Sequence, residues 1–461
     1  MPRESMQLLA GRDGLPLFSS KKVFVNFLLL VLCSQFAFSV LAMRGALLPQ
    51  MLDLWQISKT QFGLLMSIYG IVHNIFYLGL SWAQDRFPSR VLISVNMVLG
   101  GFTTFFLGKT TDFATLCFLF VMLSLWCEGA FWPAILSAVR KSTSDSNQSK
   151  IFGLLEGGRG GVELLQNTLA VGLYTALGYQ VLGLELAFMV NAGIMVVLGI
   201  ISWFRLPKET LLKSGNDTQK ANQEVLAGMN TTLRLPEVWL AGLAGFAVYM
   251  AYTSLPFFLT YLDELHSLPV LAVSIFGILS TSGGRIAIAL PSGFIADKFF
   301  GGSAGGIRAG LLMVIILCGA MLALSPDSSA WLAMTTMLGL AFLFFFMRAL
   351  YFAPFGEMGL PPRFSGSVIA VAAFVIYLPS AFAYLLWGLI LDHNEGIIGY
   401  QYLFTILAIV TSFGVLVAHL LKGRLDRGAA EKIAEKIKRL DDNLQLEGAE
   451  ITLSEQVDQQ Q

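Results

Sequence analysis

Runs of about twenty apolar residues, long enough as helices to cross roughly 30 Å of hydrocarbon, recur along almost the whole chain between short polar stretches. In the first half they fall at 23–48, 61–83, 91–108, 113–138, 151–176 and 182–204. In the second half they fall at 237–262, 268–295, 307–325, 329–353, 366–391 and 400–421. Six and six predict an all-α membrane protein of twelve transmembrane helices in two six-helix bundles, 23–204 and 237–421. Residues 205–236 are polar and mixed in charge (Arg205, Lys208, Glu209, Lys213, Asp217, Lys220, Glu224, Arg234) and read as a linker. Residues 1–22 and 422–461 read as soluble tails, the second with Ile433, Ile437, Leu440 and Leu444 on one face of a short amphipathic helix.

Basic residues orient these spans, because cytoplasmic loops are enriched in Lys and Arg. One set of loops holds Arg86, Arg90, Arg140, Lys141, Lys150, Lys298, Arg308 and Arg363, whereas the other holds only Lys59 and Lys109. Both tails and the linker are therefore expected in the cytoplasm, and the sequons at Asn147, Asn216 and Asn230 fall on that side as chance matches. The first twenty residues lack an apolar run ending in a cleavage site, so no signal peptide is expected.

Composition narrows the class. Only 13% of residues are charged and 55% are hydrophobic, against about 25% charged in soluble domains, so the chain belongs in lipid. A formal net charge of zero offers no concentrated basic face for nucleic acid. Cys33, Cys117, Cys127 and Cys318 are scattered without CxxC or His/Cys spacing, so neither a disulfide framework nor a metal site is indicated. Gly108-Lys109-Thr110 resembles the end of a phosphate loop, but Thr103 stands where GxxxxGK[ST] requires glycine. With no soluble stretch long enough for a nucleotide domain, the expectation is no enzyme, no cofactor, and energy drawn from a gradient.

A short motif occurs twice, as Ser81-Trp-Ala-Gln-Asp85-Arg86 and Gly293-Phe-Ile-Ala-Asp297-Lys298, each after the second span of its half. It resembles the cytoplasmic helix 2 to helix 3 signature of the major facilitator superfamily, roughly Gly-x-x-x-Asp-Arg/Lys-x-Gly-Arg/Lys, and the resemblance extends over residues 21–421. Ser81 replaces the first glycine, Pro88 and Ser89 replace the later Gly and basic positions, and Arg90 restores a base. In the second copy the later base is displaced to Arg308, beyond the glycine-rich stretch 301–306. The resemblance implies a secondary transporter, commonly monomeric, in which Asp85, Arg86, Asp297 and Lys298 form gates that tie the cytoplasmic bundle ends in one conformation. A looser repeat pairs Glu128-Gly-Ala-Phe-Trp-Pro133 in the fourth span with Arg348-Ala-Leu-Tyr-Phe-Ala-Pro354 in the tenth. Duplicated halves with substrate held between them at mid-membrane are the build of such transporters.

Ionisable side chains inside spans cost at least about 2.5 kcal/mol unless they face a cavity or a partner. Here they are Arg44, Glu128, Arg285 and Arg348, with Glu156, Arg159 and Glu163 near the start of the fifth span. Guanidinium is permanently charged and matches carboxylate, phosphate or sulfonate oxygens, so Arg44, Arg285 and Arg348, with Arg159 behind them, are expected to line a site for a small organic anion. The alternative is that the arginines pair with native acids. Glu128 sits among Trp126, Cys127, Phe131 and Trp132, an apolar setting that makes it the candidate proton-coupling group, with structural pairing to Arg348 as the other reading. Its run is similar to the acid before a helix 4 proline in the anion:cation symporter branch, although Val121 stands where that branch has arginine. An arginine in the first helix is similar to the organophosphate:anion antiporter branch, whose matching arginine in the seventh helix is replaced here by Tyr249, Tyr252 and Thr253.

Glu156, Arg159 and Glu163 share one helix face at i, i+3 and i+7 and read either as further proton-coupling and substrate groups or as an ion-pair cluster sealing a gate. Tyr249, Tyr252, Tyr377 and Asn74 could bond substrate hydroxyls; His73 is a possible proton partner or a core histidine. The sequence thus predicts a plasma (inner) membrane transporter of a small organic anion, symported with H+ by alternating access. The alternative is the same fold carrying a neutral sugar or polyol, with structural arginines.

Overall fold

The computed structural model describes residues 17–79, 87–143, 148–208, 235–289, 291–358, 371–428 and 431. Helices account for nearly all of them. Helix α1 (Lys21–Phe36) and α2 (Ser39–Trp55) follow one another across a short break with a bend of 45°. They are followed by α3 (Lys59–Gly79), α4 (Ser89–Leu107), α5 (Phe113–Arg140), α6 (Gln148–Ala176) and α7 (Val181–Arg205). The second half contains α8 (Pro236–His266), α9 (Val270–Ala289), the short α10 (Ser292–Phe300), α11 (Ser303–Leu322), α12 (Ala330–Glu357), α13 (Val371–His393) and α14 (Ile397–Leu425). Among the described residues nine helices are long and apolar enough to cross a membrane, or ten if the α1–α2 pair is one span. Helices α3 and α6, of 21 and 29 residues, lie at the second and fifth expected spans. The chain is an integral, multi-pass, all-α membrane protein.

Helix starts follow the local chemistry. Ser20 caps α1 by accepting from the Val23 N–H. Asp112 caps α5, accepting from the Thr115 N–H at 2.8 Å and its hydroxyl at 2.6 Å, and these bonds hold its carboxyl below the usual range. Pro236 opens α8, where its missing N–H leaves no bond unmade.

The breaks fall at matching places in the two halves. Pro49 lies in α2 beside the non-helical Leu47, and in α8 the equivalent break runs through a turn ending at Pro256. Helix α5 widens into a π turn at Leu125–Gly129, just before Pro133; α12 is interrupted at Tyr351–Phe352, just before Pro354. The loose repeat of charge and proline therefore marks two broken helices. The packing repeats as well, with α4 on α7 in the first half and α11 on α14 in the second.

The two halves meet where α3 packs on α13 and where α2 and α6 pack on α9. Backbone meets backbone at the end of the molecule remote from Lys21 and Leu425. There a Cβ on Gly63 would lie 2.4 Å from the Tyr384 carbonyl, and one on Gly388 would lie 2.3 Å from the Lys59 carbonyl, so only glycine lets these backbones touch. The same end is tied by Lys59 to Glu264 at 2.7 Å and by the Thr60 N–H to Asp392 at 2.6 Å.

Candidate functional site

Three groups of polar side chains are gathered between the halves. The first is built on arginine and tyrosine. Arg44, on the bent α2, is buried and donates to the Tyr384 hydroxyl at 2.9 Å and to the Met66 sulfur at 3.1 Å. Its guanidinium also lies 4.8 Å from the Tyr384 ring centre. Arg348, one turn before the break in α12, stacks 3.9 Å from the Tyr252 ring centre and 5.9 Å from those of Tyr249 and Phe345. Tyr249 and Tyr252 lie within electrostatic reach of both guanidiniums. Tyr377 joins the cage through ring contact with Tyr249 at 5.0 Å and a hydroxyl contact with Tyr351 at 3.2 Å. Among the described residues neither Arg44 nor Arg348 has a carboxylate within 4.0 Å, and Arg348 has no hydrogen-bond acceptor.

The second group is a carboxylate held by α3. The π turn of α5 presents Glu128 to two α3 side chains one turn apart: Tyr69 donates its hydroxyl at 3.0 Å, and His73 Nδ1 lies 3.3 Å from the other oxygen. Extra residues in π turns often aim a side chain out of helical register. The pairing of Glu128 with Arg348, one of the two readings from sequence, is not what the structure contains.

The third group joins the halves by charge. Arg285 on α9 pairs with Glu163 at 2.7 Å and with Glu156 at 3.0 Å, both on α6. Glu156 also binds Arg159 at 2.8 Å, whose guanidinium lies 4.6 Å from the Trp132 ring centre and 5.4 Å from that of Phe38. Arg285 and Arg159 thus lie in an ion-pair network and not in the arginine–tyrosine cage.

Of the remaining sequence candidates, Asn74 bonds the Gly70 carbonyl of its own helix at 2.9 Å. Asp85 and Arg86 lie outside the described residues, as does the amphipathic stretch of the tail beyond residue 431. Asp297 is exposed and makes no ion pair among the described residues, while Lys298 rests 5.4 Å from the ring centres of Phe294 and Phe299. Lys109, of the phosphate-loop look-alike, pairs with Glu185. Three residues of the site were not singled out from sequence: Tyr69, Tyr351 and Tyr384. Tyr69 lies four residues before His73 and Tyr384 seven after Tyr377, so helical spacing from a named candidate was the available signal.

A family model of the Major Facilitator Superfamily matches residues 27–384. The inner membrane protein YihN of Escherichia coli (strain K12) is 27% identical over 425 residues, covering 90% of this chain and 99% of that protein. YqcE, a second inner membrane protein of the same organism, is 23% identical over 72% of this chain and 78% of its own length. Among solved structures, a bacterial homolog of the human lysosomal transporter Spinster, inward-facing and unoccupied, superposes with a TM-score of 0.69 at 15% identity, covering 90% of this chain and 98% of that one. The nucleoside transporter NupG superposes with a TM-score of 0.66 at 13% identity, covering 87% and 99%.

Proposed function

The chain belongs to the major facilitator superfamily and is a membrane transporter, and from that premise we propose that it moves a small organic anion by alternating access, in symport with protons. The observation that carries this reading is the pair Arg44 and Arg348: permanently charged, contributed by opposite halves, gathered on shared tyrosines and without a carboxylate among the described residues. A cation inside a membrane span without a counter-charge is unfavourable, and an anionic substrate supplies the missing charge. Guanidinium offers paired donors to carboxylate, phosphate or sulfonate oxygens, and the phenols of Tyr249, Tyr252, Tyr377 and Tyr384 are placed to bond or stack on the rest of the molecule. Glu128, bonded by Tyr69 and adjacent to His73, is the centre of proton coupling. The network of Glu156, Arg159, Glu163 and Arg285 closes one end of the path and breaks as the bundles rock. The termini lie in the cytoplasm, the protein resides in the plasma (inner) membrane, and it works as a monomer.

Ligand-dependent stabilisation tests the site directly, because a ligand bound only by the folded state raises the midpoint of unfolding. Sugar acids, sulfonates, organic phosphates and dicarboxylates are compared with neutral sugars and polyols on the purified protein and on Arg348→Gln. Stabilisation by an anion that is lost in the variant supports the proposal; equal stabilisation of both proteins by a neutral sugar favours the neutral-solute reading.

A further inference from the structure

Proton coupling needs a group that changes charge, and the geometry around Glu128 points to its neighbour. One carboxylate oxygen accepts from the Tyr69 hydroxyl at 3.0 Å, and the other lies 3.3 Å from His73 Nδ1, both from α3. The Ser124 hydroxyl donates to the Tyr69 carbonyl at 2.9 Å, fixing α3 against α5 at this level. A hydroxyl donor on one oxygen and an imidazole beside the other hold this carboxyl in place between α3 and α5. Among the described residues, Arg159 lies within electrostatic reach of Glu128 and Arg44 within reach of Tyr69. Among the described residues the Cys127 thiol on α5 and the Tyr377 phenol on α13 also face the pair. The side chains of His73 and Glu128 are 14% and 15% exposed, shielded yet open enough for a proton to arrive.

We propose that the coupled proton is carried on the imidazole of His73, with Glu128 as a fixed counter-charge that selects its tautomer. In the loaded form the ring carries a proton on each nitrogen and forms an imidazolium–carboxylate pair with Glu128; release of one proton returns the neutral ring. Only the proton moves. The His73 ring also lies edge-on to Tyr377 of the second half, 5.7 Å between centres, and Tyr377 contacts Tyr249, which Arg348 flanks. The charge on His73 is thereby felt at the bundle boundary, against the Tyr377 ring of the anion cage. This inference rests on the reading of the protein as a proton-coupled transporter, and it places the proton on a different residue from the one singled out by sequence.

The chain has four histidines, so selective isotope labelling of His in full-length protein in nanodiscs yields a spectrum assignable by His73→Gln. The expected result is that the His73 signal titrates between about pH 5 and 9, with a midpoint that falls by about one unit or more in Glu128→Gln, where the counter-charge is gone. Tyr69→Phe, which keeps the ring and removes one donor to the carboxylate, provides a milder second variant with a smaller shift in midpoint. A His73 ring that does not titrate in that range, or whose midpoint is unmoved in both variants, would overturn the proposal. Uptake is measured in parallel on proteoliposomes: His73 titration without uptake of any anion counts against the substrate reading alone, whereas anion uptake driven by a pH gradient in His73→Gln counts against the proton site alone.

Discussion

Arg44 Nη2 donates to the hydroxyl of Tyr384 at 2.9 Å across the boundary between the two halves. Arg44 belongs to a helix bent beside Pro49, and Tyr384 lies on the α13 turn whose carbonyl touches Gly63. One of the proposed anion ligands is therefore bound to the opposite bundle at a level where the two halves meet backbone to backbone. Substrate held at Arg44 reports directly on whether that end is shut.

Arg348→Gln removes the guanidinium that has no native acceptor among the described residues. Uptake of the anionic substrate should fall by at least about tenfold, the equivalent of roughly 1.4 kcal/mol, with folding intact by size-exclusion profile. Arg348→Lys should recover only part of it, because a point charge does not reproduce the planar fork or the stacking on Tyr252. Initial-rate uptake decides; wild-type rates in both variants would remove Arg348 from the site.

Glu128→Gln should abolish accumulation driven by a pH gradient while leaving substrate exchange within a few-fold of wild type. Counterflow and gradient-driven uptake on the same vesicles separate the two effects. Retained accumulation would contradict the role given to Glu128.

Gly388→Ala places a methyl 2.3 Å from the Lys59 carbonyl, a backbone atom with nowhere to go. The end remote from the termini should then fail to close. A cysteine introduced at Ser274, fully buried near that end of α9, should become reactive to an impermeant maleimide in the alanine variant, and transport should be lost. Unchanged labelling would mean that the close contact is not needed for closure.

Arg285→Gln leaves Glu163 buried without its ion partner, a change that costs on the order of 3–5 kcal/mol for a fully buried pair and less here because Glu156 is half-exposed. Removing both charges, in Arg285→Gln/Glu163→Gln, should restore part of the lost thermal stability. A double-mutant cycle on melting temperature is the check, and additivity of the two changes would mean that the pair is not coupled.

The spans and the duplication were legible because each rests on local pattern: apolar length, a repeated Asp-Arg/Lys motif, a charge shortly before a proline. The expected 329–353 and 366–391 correspond to Ala330–Glu357 and Val371–His393. What was not legible is who faces whom. Arg285 and Glu163 are 122 residues apart, so the sequence could offer both a ligand and an ion pair for Arg285 without deciding. Glu128 found its partners on α3 because a π turn re-aims it, and an extra backbone residue in a turn leaves no mark in an apolar sequence. Arg44 and Arg348 were recognisable from charge, and Tyr249, Tyr252 and Tyr377 were named with them, but Tyr351 and Tyr384 read as ordinary membrane aromatics until the helices were packed.

The central claim is that an anion is carried with protons through a cage of arginine and tyrosine. The most direct test is uptake and current in proteoliposomes under an imposed inward-acidic pH gradient, across sugar acids, sulfonates, phosphates, dicarboxylates and neutral sugars. Accumulation confined to an anion, and collapsed by dissipating the gradient, is the predicted result. Gradient-independent uptake of a neutral sugar, with the anions inert, would contradict it.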